Sequence, residues 1–276
     1  MSILSAKKIT FIGGGNMANA IIDGLLKLKQ DKGLDFQIAV SDRNEPKRVS
    51  FVAKGVQAVS PDDVNEVVSD ADVVVLSVKP QGMQGVCQEL IPHLSGQLVL
   101  SVAAGLTVDT LCAWLGGHQR VVRSMPNLPS AIGLGATGMY AKADVSESDK
   151  AVADAIMSAS GLVAWLDDEA LMHAVTAAAG SAPAYFFYIL EHMIDKAVEL
   201  GLGTDDAKAL VIQSLIGAGE LARHNNPKTL REQVTSKGGT TAAALAVFGE
   251  RDVGEVIRAG MQACVDRSIE LGKPSA

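Results

Sequence analysis

Along the first 165 positions, apolar residues fall into short runs separated by stretches with helical spacing. Lys8–Ile12 and Gln37–Ser41 are strand-like. Asp72–Val78 is β-branched and apolar without alternation, the pattern of a strand buried on both faces. Leu98–Val102 and Arg120–Arg123 repeat that style, and Thr137–Ala141 and Leu162–Leu166 predict later, antiparallel edge strands. Asn16–Leu28 carries apolar residues at helical spacing, and Arg48–Lys54 predicts a short helix. Strands alternating with helices in this way predict βαβ units around a parallel sheet.

After Trp165 the texture changes. From Asp168 to Gly272 the chain is rich in Ala, Leu and Met at helical spacing, with almost no strand-like run. Pro183, Gly201-Leu202-Gly203, Pro227 and Gly238-Gly239 cut it into five or six helices. Ala184–Leu200 is apolar on too many sides for the surface of a monomer, so it predicts burial against a second subunit. The expected fold class is an α/β Rossmann-type N-terminal domain over residues 1–166, followed by an all-α dimerisation domain over 167–276.

Charge and composition narrow the partners. With 24 Lys and Arg against 31 Asp and Glu, the net charge is −7, which argues against nucleic acid or an anionic membrane. Three cysteines, Cys87, Cys112 and Cys264, form no CxxC pair and predict neither a disulfide framework nor a zinc knuckle. Five histidines show no metal-ligand spacing, so no metal site is expected. No signal-peptide pattern and no run of about 18 apolar residues occurs, and the expectation is a cytoplasmic protein.

Ile12-Gly13-Gly14-Gly15-Asn16-Met17-Ala18 sets the G-x-G-x-x-A spacing between a strand and a helix. Gly13 permits the turn, Gly15 lets a pyrophosphate approach the backbone, and Ala18 allows close helix–strand packing. A dinucleotide is therefore expected on the helix N-terminus. The second strand ends in Ser41-Asp42-Arg43. Asp42 suits the ribose hydroxyls of NADH and Arg43 the 2′-phosphate of NADPH, and the sequence offers both. Ser77, Val78, Lys79 and Pro80 follow one central strand, and Val102, Ala103 and Ala104 the next, where ligands of open α/β sheets bind. Asn127, in a proline-rich loop after a strand, is placed to reach a carboxamide.

In the helical region, Gln233-Val234-Thr235-Ser236-Lys237-Gly238-Gly239-Thr240-Thr241 opens an Ala-rich helix whose first N–H groups lack intrahelical partners. Such a turn can hold a carboxylate, or can be an ordinary capped helix start. Leu230, Val234, Thr235, Ser236, Gly238, Gly239, Thr241, Ala244, Leu245 and Phe248 match the C-terminal signature of the pyrroline-5-carboxylate reductases. Gly180–Tyr185, Val78–Gln81 and Ala103–Gly105 resemble further hallmarks of that family. Gly249, Lys237, Ala179, Ala182 and His173 depart from its usual residues.

The resemblance implies an intertwined homodimer, in some members a larger ring of dimers. It implies NADPH, or NADH as the alternative, as hydride donor for reduction of L-1-pyrroline-5-carboxylate to L-proline. It also implies a substrate site at Ser236, Gly239, Thr240 and Thr241, with Gln233 in support and the Thr241 hydroxyl as the catalytic group. A β-hydroxyacid dehydrogenase of similar build would place a catalytic Lys on the long interdomain helix, and Val175–Tyr188 contains none. A dinucleotide-binding redox sensor without turnover is the non-enzymatic rival.

Overall fold

The structure, a computed structural model, describes residues 2–272. Packing divides them into two compact units, 2–181 with 264–272 and 182–263. This division falls later than residue 166, and it returns the last turns of the C-terminal helix to the first unit.

Among the described residues, the first unit holds one sheet of eight strands: β1 (Lys8–Ile12), β2 (Gln37–Ser41), β3 (Gln57–Val59), β4 (Val73–Leu76), β5 (Leu98–Ser101), β6 (Val121–Met125), β7 (Gly135–Ala141) and β8 (Gly161–Trp165). Their order is β3-β2-β1-β4-β5-β6-β7-β8. The first six run parallel, β7 is antiparallel to β6, and β8 is parallel to β7. The helices of this unit are α1 (Asn16–Lys32), α2 (Glu45–Ala53), α3 (Asn65–Val68), α4 (Pro80–Leu90), α5 (Val108–Trp114), α6 (Glu147–Ser158) and α7 (Leu171–Val175).

Order 3-2-1-4-5-6 is the doubly wound, Rossmann-type arrangement, with its switch of direction between β1 and β4. Ile12 and Leu76 stand side by side at the carboxyl ends of those two strands, so the crevice for a ligand opens above them. The β-branched runs form the central strands because both faces are covered: all four residues of β4 and of β5 are buried. Ile9, Phe11, Ile21, Ile22 and Leu25 form the core beneath α1, and Val74, Leu76, Met83 and Leu111 the core on the other face.

The structure corrects several expected bounds. β3 is an edge strand of three residues, too short to leave a pattern. α2 begins at Glu45 because Asn44 caps it, accepting the Lys47 N–H at 3.0 Å, and Pro46 fits its first turn. Of the last two strands, β7 lies inside the sheet and β8 forms the edge opposite β3, with Leu162 69% exposed.

The second unit is all helical: α8 (Ala182–Glu199), α9 (Thr204–Ala222), α10 (Pro227–Gln233), α11 (Thr240–Glu250) and the first part of α12 (Val253–Leu271). No described residue of α8, α10 or α11 is buried, and in α9 only Ala207 is.

Candidate active site

The glycine loop between β1 and α1 is fixed from three sides. Gly13 has φ of +96°, donates its N–H to the Ser41 carbonyl at 2.8 Å, and lies against Ser77 and Val78. The Ser77 Oγ lies 2.9 Å from the Ile12 carbonyl oxygen and 2.6 Å from that of Gly13. At Gly14 a Cβ would stand 2.5 Å from the Phe51 ring, so no side chain fits without displacing Phe51. Gly15 differs: a Cβ there would meet only the Ser77 carbonyl, at 3.9 Å. Gly15 is the N-cap of α1 and provides no side-chain cap. No side chain of the N-cap takes up the N–H groups of that first turn, as a pyrophosphate site requires. Asn16 is exposed, Met17 packs partly on the core, Ala18 is fully buried against it, and Ile12 serves through its backbone.

Asp42 is 9% exposed, and both its carboxylate oxygens are engaged. Oδ2 accepts the Gly14 N–H at 2.6 Å and Oδ1 the Asn44 N–H at 2.7 Å. The carboxylate thus braces the glycine loop, and each oxygen keeps a lone pair for a further donor. Arg43 is exposed beside it, Lys47 Nζ is 3.9 Å from Oδ2, and Arg48 donates to the Asp42 carbonyl at 2.8 Å. Three cations therefore surround the end of β2.

Beyond β4 and β5, the first unit contains a cavity of about 900 Å³. Pro80, Ala104, Gly105, Thr176, Ser181 and Ser268 are among its lining residues. Lys79 is the exposed N-cap of α4, pointing the chain into Pro80 at the first helical position. Val102 is half-buried and donates its N–H to the Leu76 carbonyl, while Ala103 is buried and Ala104 exposed. Small side chains on the β5 loop leave this end of the crevice wide enough for a flat ring. Asn127 is buried, and its amide joins the Ala136 N–H to the Ala179 carbonyl.

In the second unit, α10 ends at Gln233, which is exposed, and the chain turns through Gly238 with φ of +74°. Gly239 is the N-cap of α11 and again provides no side-chain cap. Its own N–H is spent on the Ser236 carbonyl at 3.0 Å, so the amides left for a carboxylate begin at Thr240 and Thr241. A Cβ on Gly239 would stand 2.5 Å from the Ser236 Oγ, which places that hydroxyl at the helix entrance. Ser236 and Thr240 are exposed and Thr241 half-buried.

Comparison with known proteins decides the family. The pyrroline-5-carboxylate reductase dimerisation profile matches residues 169–271, and the profile of F420-dependent NADP oxidoreductases matches residues 8–105. A pyrroline-5-carboxylate reductase of Haemophilus influenzae is 45% identical over 269 residues, covering 96% of this chain and 97% of its own. The solved pyrroline-5-carboxylate reductase of Coxiella burnetii superposes with a TM-score of 0.89 at 38% identity, covering 98% of this chain and 100% of its own. The chain belongs to the pyrroline-5-carboxylate reductases. The pyrroline carboxylate reductase of Plasmodium falciparum, solved with NADP bound, shares the fold at 24% identity and a TM-score of 0.85, with 98% and 100% of the two chains covered.

Within this family member, the ionisable groups near the crevice are few. Cys87 and Cys112 are buried, and burial pushes the Cys87 thiol up to about 12, which leaves it inert as a nucleophile at neutral pH. His173 donates to or accepts from the Ser268 hydroxyl at 2.9 Å, and burial together with Arg123 holds its pKa below the usual range. Arg123 is 3% exposed and paired with Glu169 at 2.9 Å, and the same Glu169 oxygen accepts the Val108 N–H at 2.8 Å. Sequence reasoning missed Phe51 and Ser268, which have no local signature; Thr176 and Ser181, beside and within the Gly180–Tyr185 hallmark, were given no role at the crevice. Among the described residues, no helix is long and apolar enough to cross a membrane.

Proposed function

We propose that this chain carries out its family's reaction, NAD(P)H-dependent reduction of L-1-pyrroline-5-carboxylate to L-proline, with the two glycine loops in separate roles. The observation that carries the reading is the entrance of α1 at Gly15, where no side chain caps the helix amides and a Cβ would meet only the Ser77 carbonyl at 3.9 Å. The residues present fit a dinucleotide: Ile12–Ala18 cradle the pyrophosphate, Ser41 and Ser77 brace that cradle, and Arg43 takes the 2′-phosphate. Val78, Lys79, Pro80, Val102, Ala103 and Ala104 border its ring end. The bound cofactor supplies the hydride.

The chain's own contribution on the substrate side is orientation. The N–H groups of Thr240 and Thr241 at the start of α11 receive the carboxylate, assisted by the Ser236 hydroxyl, and Gln233 supports the loop. Gly239, with its N–H committed to Ser236, acts by making room. The Thr241 hydroxyl hydrogen-bonds the ring nitrogen. A cyclic iminium forms in water before binding, so no strong protein acid is required, and the residues assigned to the substrate, Ser236, Thr240 and Thr241, offer only hydroxyls and amides.

In this reading residues 1–166 hold the dinucleotide and residues 167–276 supply the dimer contact and the substrate loop. The active site is completed between one subunit's cofactor and its partner's helices. Assembly of dimers into a ring is its extended form, and a cytoplasmic location suits three unpaired cysteines. The test is oxidation of NADPH on addition of pyrroline-5-carboxylate, by wild type and by Thr241→Ala. Loss of the hydroxyl should cost about 1–3 kcal/mol of transition-state stabilisation, read in kcat, with little change in cofactor affinity. Wild-type kcat/KM in that variant would reduce Thr241 to a helix-start residue.

A further inference from the structure

In an α-helix each carbonyl accepts the N–H four residues on. Four residues after Ala179 stands Pro183, which has no N–H to give. The chain meets this defect with a π turn over Thr176–Gly180, closed by the Ser181 N–H donating to the Thr176 carbonyl at 2.8 Å. The Ala179 carbonyl instead accepts from the Asn127 side-chain amide, at 3.1 Å. The other end of that amide is fixed as well, since Asn127 Oδ1 accepts the Ala136 N–H at 2.9 Å. A flipped amide would set oxygen against oxygen and N–H against N–H, so the network fixes its orientation. Asn127 is 8% exposed, and Met125, two residues before it, packs so closely on Gly180 that a Cβ there would lie 2.7 Å from its Cε.

We infer that Asn127 is a positioning residue of the reduction, which replaces the missing proline N–H and thereby fixes the π turn that carries Thr176 and Ser181 into the cavity beside Ala104 and Gly105. This rests on the reading of that cavity as the ring end of the crevice. π turns persist only where their surroundings hold them, and they recur at functional sites. Without the amide donor, the half-buried Ala179 carbonyl loses the partner that replaces the proline N–H, and the turn relaxes toward another geometry. Ser181 and Thr176 move with it, and the wall that confines the reacting rings is lost. The role differs from a direct contact with the nicotinamide carboxamide, because Asn127 acts through the turn.

Asn127→Asp separates the two. The carboxylate still accepts the Ala136 N–H but opposes the Ala179 carbonyl, and burial raises its pKa so that it regains a donor when protonated. At pH about 8, the variant should lose at least about tenfold in kcat, as misplacement by a fraction of an ångström does. Its Kd for NADPH, measured by fluorescence titration, should stay close to that of wild type. The ratio of variant to wild-type kcat should then rise as pH falls. In a Pro183→Ala background, where the main chain supplies the N–H, the same substitution should cost less than about threefold. Weakened NADPH binding with kcat intact would overturn the inference in favour of direct carboxamide contact. An unchanged kcat, a ratio flat in pH, or an undiminished cost in the Pro183→Ala background would overturn it as well. Wild-type turnover in the same assay tests the activity itself separately.

Discussion

The two compact units use the same apolar residues to opposite effect. In the first, Ile9, Phe11, Val74, Leu76 and Leu100 are almost wholly removed from water, each contributing about 1.5–3 kcal/mol by burial. In the second, Phe186, Phe187 and Tyr188 are 50–64% exposed, and Ile216, Val247 and Phe248 lie within the same range. One unit is finished by its own chain. The other has the helices and the apolar surface of a core, but none of the described residues covers that surface, which is the signature of an obligate interface. Hydrophobic periodicity tells where a helix lies and leaves open which chain will bury it.

The comparison is broken most severely on α8. Phe186→Asp with Phe187→Asp should abolish the dimer in analytical ultracentrifugation and reduce pyrroline-5-carboxylate turnover by more than about a hundredfold, the scale of a lost interface core. NADPH should still bind, because its loop lies in the first unit. A dimeric double variant would mean that α8 presents another face.

The glycine loop gives the next largest effect and divides structure from ligand within one turn. Gly14→Ala forces a methyl group into the Phe51 ring and should lower stability by about 1–3 kcal/mol in thermal unfolding. Gly15→Ala adds a Cβ whose nearest neighbour is the Ser77 carbonyl at 3.9 Å, so its Tm should hold while NADPH affinity falls at least about tenfold. Equal losses of Tm in both would refute the assignment of Gly15 to the pyrophosphate.

A smaller effect belongs to the ion pair of Asp149 with Arg120, 2.6 Å apart at the opposite end of the sheet. The Arg120 guanidinium holds the Asp149 carboxyl below its usual 3.8. A depressed folded-state pKa means that the stability from this pair is present above the unfolded value and lost as pH falls through the folded one. Asp149→Asn should cost about 1 kcal/mol at neutral pH, discounted because Arg120 is 48% exposed, and nothing once acid has protonated the wild-type carboxyl. Denaturant melts at neutral and acid pH measure the difference. The smallest effect is at Arg43. Its removal should reduce kcat/KM for NADPH by about fivefold and leave NADH unchanged, as expected for one exposed charge on a phosphate. An equal effect on both cofactors would remove Arg43 from the 2′-phosphate.

Much of this was legible in the sequence where a single local rule governed. The central strands are uninterrupted β-branched runs, and the glycine loop needs only spacing and context. Illegible parts depend on partners far along the chain. β3 owes its existence to its neighbour β2, with three residues too few to show a period. The engagement of Asp42 with Gly14 joins residues that only the fold brings together. Asn127 read as a cofactor contact because its loop follows a strand. Its partner is set by a proline more than fifty residues later, a relation that no window along the chain can contain.

One strand has a bearing on handling rather than on catalysis. β8 closes the sheet on one side with its outer hydrogen-bonding row unpaired and Leu162 in water. Such an edge is a template for the strand of another molecule, and concentrated or warmed protein has here its natural seed for aggregation. Its length limits the danger: the strand Gly161–Trp165 is five residues long, and the indole N–H of Trp165 is tied to Asp154 at 2.9 Å. A charge at position 162, as in Leu162→Lys, would blunt the edge without touching either glycine loop, and it is the first change to make where shelf life matters more than the native sequence.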